Sequence, residues 1–202
     1  MGKRNAQYSL DGQVELDDGF FTTERPEKEK DTPLKGGRGS QKKSKVVVMV
    51  ESAPLQKHHR KGKHFKVVGH LKMQVIPDLK TQTVTDVAKK HLEPSVELTT
   101  DDSTSYHKLG EHVQRHQTVI SNKKNVEKIL PWVHIAISNA KRLLLDMHHR
   151  IKNEYLQYYL NEFCYKFNRR YFGKKLFDRV VLAAISYNTD FRSRTYRRTT
   201  CG

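Results

Sequence analysis

Cysteine is nearly absent, with 2 in 202 residues, Cys164 and Cys201. That excludes a disulfide framework and a four-cysteine zinc site. Long hydrophobic runs are missing too: no apolar stretch approaches the roughly 20 residues of a membrane-spanning helix. Met1-Gly2-Lys3-Arg4-Asn5 lacks the apolar segment of a secretory signal, so a cytoplasmic protein without a membrane partner is expected. Acidic residues are scarce beside basic ones, 22 Asp+Glu against 38 Lys+Arg, for a formal net charge of +16. Such a balance calls for a polyanionic partner, nucleic acid first, although ribosomal and membrane-surface proteins share it. Hydrophobic residues at 36% are few for a globular chain yet enough for a core.

No internal repeat is visible. Val14 to Phe21 alternates as a strand, with Val14, Leu16, Asp18 and Phe20 on one face. A polar stretch from Thr22 to Ser44, with Pro26, Pro33, Gly36, Gly37 and Gly39, predicts a long mobile loop and a basic arm. Lys45 to Glu51 is a short β-branched run suited to a strand buried on both faces. A basic, His-bearing loop, Lys57 to His64, separates it from a third strand, Phe65 to Ile76, closed by Pro77. His58, His59 and His64 have no Cys or Asp beside them and read as solvated.

The period then changes. Val84, Val87, Ala88, His91 and Leu92 recur at helical spacing, with Thr83 or Thr85 as the expected cap. Val96 to Asp101 returns to strand, followed by a short helix near Tyr106 to Glu111 and a strand at Gln117 to Ser121. Pro131 suits the first position of a helix reaching Met147. A second long helix, Lys152 to Tyr171, carries Leu156, Leu160, Phe163, Cys164 and Phe167 on its apolar stripe. Cys164 is thus expected as a buried core thiol. The order β-β-β-α-β-α-β-α-α predicts an α/β, ribonuclease H-like (retroviral-integrase-like) fold with a mixed five-stranded sheet flanked by helices. Residues 1–9 are read as an extension, 10–187 as the domain and 188–202 as a basic tail.

Metal-competent side chains fall at three places: Asp17 in the first strand, Asp101 at the end of the fourth, and His134 near the start of the helix opened by Pro131. Strands one and four are neighbours in that fold, so Asp17 and Asp101 would meet across the ladder, where two carboxylates repel unless cations lie between them. Hard oxygen ligands suit Mg²⁺ or Mn²⁺, and two such ions can drive phosphodiester displacement. The bland alternative is that Asp17-Asp18 and Asp101-Asp102 are solvated turn acids. Alternation leaves open which Asp of each pair faces the metals. His134 has its own bland alternative, a core histidine beside Trp132 and Ile135.

Gly12 to Asp18 with Phe20-Phe21, then Thr100-Asp101 with Tyr106, then Trp132 to Arg142, and finally Asn161-Glu162-Phe163 with Phe167 to Tyr171 resemble, in that order, the motifs of bacterial insertion-sequence DDE-type transposases. The branch resembled carries a zinc ribbon ahead of its catalytic domain. The resemblance implies cleavage of transposon ends and strand transfer into target DNA. It further implies two Mg²⁺ or Mn²⁺ ions, double-stranded DNA as partner, a homo-oligomer that pairs two ends, and a place at the bacterial nucleoid. The family's third motif has Glu with Lys seven residues later; here Lys141 matches that Lys and His134 stands seven back. Seven residues are two helical turns, which sets His134 and Lys141 on one face. Asn139 is the other candidate and points about 200° away from Lys141. An imidazole in place of Glu should weaken Mg²⁺ relative to Mn²⁺. Lys141 and Arg142 are the expected DNA phosphate contacts. With no zinc ribbon ahead of the first strand, the alternative expectation is a truncated, inactive remnant that only binds DNA.

Overall fold

The computed structural model describes residues 1–25, 31–37, 40–54, 66–120, 130–148 and 151–186. The His-bearing loop from Lys57 to His64 and the basic tail 188–202 lie outside the described residues. At the centre is the β-branched run: Val46 to Val50 have no exposed surface. They lie in β2 (Lys43–Pro54), paired antiparallel with β1 (Gln13–Thr22) and with β3 (Lys66–Ile76). β4 (Glu97–Asp101) joins β1 in parallel, and β5 (Arg115–Val119) joins β4 in parallel. The five-stranded sheet has the order β3-β2-β1-β4-β5. This is the expected ribonuclease H-like arrangement, mixed because only the hairpin-linked strands run antiparallel.

Alternation gives the sheet two apolar faces. Val46, Val48, Val50 and Phe21 pack against α3 (Pro131–Met147) and α4 (Asn153–Asn168), through Val133, Ile137, Leu156, Leu160 and others. Val14, Leu16, Val47 and Met49 pack on the other side against α2 (Thr81–His91) and against Tyr106 and Leu109. Cys164 is buried in the first cluster, and burial pushes its thiol up to about 12. Residues Gly2–Asn5 form one turn, α1, that docks on α4: the Asn5 amide donates to the Asn161 carbonyl and Arg169 donates to the Asn5 side chain.

β3 is an edge strand, and α4 seals it. The Asn168 amide donates to the Leu71 carbonyl and accepts from the Leu71 N–H. Gln157 bonds the Val75 N–H and the Met73 carbonyl in the same two-sided way. Side-chain amides thus stand in for a sixth strand and blunt an edge that would otherwise pair with another chain. The register shifts after Val50, and Gly69 faces Glu51 there. A Cβ on Gly69 would come 2.7 Å from the Glu51 Cβ, so only glycine fits.

Several local expectations are corrected. Neither Thr83 nor Thr85 caps α2, which begins after Lys80; Asp78 organises the turn, accepting from the Lys80 N–H and the Thr83 hydroxyl. Thr85 is instead buried on the inner face. The predicted helix at Tyr106 to Glu111 is two 3₁₀ turns, Thr104–Tyr106 and Leu109–Glu111. β5 lies two residues earlier than expected, because the ladder to β4 sets the register, and Ile120 is left exposed beyond it. α4 stops at Asn168, whose amide is committed to Leu71, and a 3₁₀ segment (Arg170–Lys175) follows. An unforeseen helix, α5 (Leu176–Ser186), comes next.

Candidate active site

One row of side chains on β1 faces one row on α3. Glu15 is buried, and its Oε2 accepts the N–H groups of Trp132 and Val133 at 2.9 and 3.1 Å. These are helix donors without intrahelical partners, and a carboxylate suits the positive end of the helix dipole. The contact pins the first turn of α3 onto the sheet. Two residues along the same strand face, Asp17 Oδ2 lies 3.8 Å from His134 Nδ1. Next is Gly19, where a Cβ would sit 3.5 Å from Ile137. Phe21 follows, with Lys141 Nζ 5.7 Å from its ring centroid. His134 and Lys141 therefore share the sheet-facing side of α3, as their spacing predicts, whereas Asn139 is exposed.

Asp101 enters from β4. The parallel register runs Gln13↔Glu97 to Leu16↔Thr100, and Asp17 and Asp101 are the next residue on each strand. The Asp101 charge acts on His134, raising its pKa against burial, which dominates and pulls the imidazole below the ordinary histidine range. His134 is thus neutral near pH 7, the form that ligates metals. Asp17, Asp18 and Asp101 line one cleft of about 440 Å³ together with Lys43.

Tyr106 settles which aspartate belongs to which face. Its buried hydroxyl donates to Asp18 Oδ1 at 2.9 Å, from the α2 side, so Asp17 is the one turned to α3. Lys141 is half-buried and its pKa is lowered, by burial first and then by Lys43, against the pull of Asp17. Arg142 is exposed one residue further on. Two residues escaped the sequence reading as contributors: Glu15, quoted only as part of a motif, and Lys43. An acidic residue two positions before Asp17, on the same strand face, was the signal for the first.

Two carboxylates and a neutral imidazole form a donor set that fits a divalent cation in chemistry. Among the described residues, no three His, Cys, Asp or Glu side chains are gathered closely enough to hold one as they stand. No helix among them is long and apolar enough to cross a membrane.

Residues 9–168 match the family model of the ISXO2-like transposase domain, and the chain belongs to that family. The match takes in Asp17, Asp101, His134, Lys141 and Arg142. Membership brings a transposition-related function of the DDE type, on DNA and with divalent metal ions. The structure is also similar to the catalytic core domain of BIV integrase, with 12% identity and a TM-score of 0.47 over 86% of this chain and 96% of that one. No curated protein matches the sequence significantly.

Proposed function

We propose that this protein cuts DNA at the ends of an insertion sequence and joins them to target DNA, with Asp17, Asp101 and His134 as its catalytic, metal-holding residues. The observation that carries this is that β1 and β4 bring Asp17 and Asp101 to one acidic cleft of a strongly basic molecule, with His134 of α3 standing 3.8 Å from Asp17. Two divalent ions, Mg²⁺ or Mn²⁺, supply when bound a water of lowered pKa and charge neutralisation at the phosphate. Asp17 and Asp101 bring the negative charge that draws such ions, and His134 adds a neutral nitrogen donor. Lys141 and Arg142 hold phosphates of the double-stranded substrate and fix its register without reading sequence.

In the first step water attacks phosphorus and the P–O3′ bond breaks, freeing a 3′-hydroxyl and leaving a 5′-phosphate. That hydroxyl attacks a target phosphodiester in the second step, displacing another 3′-oxygen. Bond types are conserved, so one site serves both. Joining two ends at once calls for a homo-oligomer, and the nucleoid is where such a substrate lies. The domain doing this work is residues 10–187.

The test is Mn²⁺-dependent cleavage and joining of end-containing oligonucleotides by the unaltered protein and by Asp17→Asn. Activity that falls to background in the variant, while its circular dichroism spectrum is unchanged, supports the enzyme. Equal inactivity of both identifies a remnant that only binds DNA. Mn²⁺ titration followed by electron paramagnetic resonance reads the site independently of turnover, and Asp101→Asn should weaken Mn²⁺ binding at least about tenfold, one charged ligand fewer on a hard cation.

A further inference from the structure

A groove larger than the acidic cleft opens beside it, about 870 Å³, between the ends of β1 and β2 and the C-terminal half of α3. The two cavities share Phe20 and Lys43 in their walls, so a strand threaded through one continues into the other. Arg25, Lys42, Lys43 and Lys141 give the groove its rim, against a single acid, Glu24. Among the described residues neither Lys43 nor Lys141 is in an ion pair, and the charge of Lys43 presses on Lys141. Asp17 offsets part of this repulsion at Lys141, and an anion from outside would relieve the rest. The other wall is apolar: Phe21, Leu144 and Ile151 are buried along it, and Leu145 is 60% exposed.

Cationic rim and apolar wall together choose the ligand. A duplex keeps its bases stacked inside and offers the protein mainly phosphate and sugar, leaving Leu145 unused. An unpaired nucleotide presents both a phosphate and an apolar face. We propose that the groove seats an unpaired nucleotide of the DNA strand running on from the acidic cleft, with phosphates on Lys42, Lys43 and Lys141 and the base against the exposed Leu145. This rests on the transposase reading for its substrate and adds a subsite that favours strand separation beside the cut.

The experiment is metal-free fluorescence anisotropy with an oligothymidine strand of about a dozen nucleotides and an abasic strand of the same length and charge. Burial of apolar surface between a base and the Leu145 side chain predicts roughly fivefold tighter binding of the oligothymidine. Leu145→Ser, at an exposed position, abolishes that preference and keeps the salt dependence. Lys43→Gln does the reverse, lowering the slope of log K against log salt by about 0.7. Equal affinity of the unaltered protein for the two strands, or a base preference that survives in Leu145→Ser, overturns the proposal. Because no metal is added, the outcomes separate. A base preference that Leu145→Ser abolishes supports the groove even if Mn²⁺-dependent cutting proves absent, which sinks only the catalytic reading. Cutting without any base preference sinks the groove alone.

Discussion

Tyr106 shows what a single side chain decides here. It is fully buried and spends its one hydroxyl on Asp18. Burial first, then the charges of Asp18, Asp17 and Asp101, hold the phenol far above its ordinary range, so it remains a donor at every working pH. Tyr106→Phe removes that hydrogen bond to a carboxylate and should cost about 1.5–3 kcal/mol of stability, read as a lower urea midpoint with an unchanged slope. Strand alternation alone could not say whether Asp17 or Asp18 faces α3, because both stand in a run where each face is buried. The spacing from Asp101 to Tyr106 was visible in the sequence, but its partner lay 88 positions away, and only the fold brings the two together.

At the scale of elements, the same lesson concerns how α3 is fixed to β1. The start of α3 was legible to the residue, because proline at the first helical position has no N–H to waste. Its attachment was not, since no residue just before Pro131 caps it; the cap comes from Glu15 across the sheet. Glu15→Gln keeps the size of the side chain but loses the charge that faces two helix N–H groups. We expect a stability loss of about 1–2 kcal/mol by urea denaturation. Cleavage should fall further than that loss explains, since His134 follows directly on the pinned turn. α5 escaped sequence reading for a different reason. Its apolar positions do recur at helical spacing, but they follow the helices expected to close the fold and have no layer to cover: Phe177, Leu182 and Ile185 are exposed and only Ala183 is buried. The edge-sealing amides, Gln157 and Asn168, were equally invisible: polar residues flanking an apolar stripe look like a solvated face until an edge strand lies beside them.

The whole molecule carries a charge problem that pH exposes. With 11 histidines added to a net charge of +16, acidification loads an already repulsive chain, yet burial holds His116, His134 and most of all His91 below the ordinary range. His91 is buried on α2, and its Nδ1 lies 3.4 Å from the ammonium of Lys72, which also donates to the Tyr8 carbonyl and sits over the Tyr8 ring. Burial first, then Lys72 and Lys90, bring His91 from 6.5 to about 4. Above pH 6.5 neither the folded nor the unfolded chain protonates this ring. Between 6.5 and 4 the unfolded chain takes up the proton and the folded one refuses it, so stability falls as pH falls. At about 1.4 kcal/mol per pH unit the interval amounts to roughly 3 kcal/mol. Glu51 continues the trend at lower pH. Its burial raises the pKa, but hydrogen bonds from the His70 ring, the His70 N–H and the Asp11 N–H outweigh it and hold the carboxylate below its ordinary value. Urea unfolding at a series of pH values from 7 to 4 should therefore show a falling midpoint, and His91→Gln should make the drop above pH 4 measurably smaller. An undiminished drop in that variant would assign the loss to overall charge repulsion rather than to the Lys72–His91 contact.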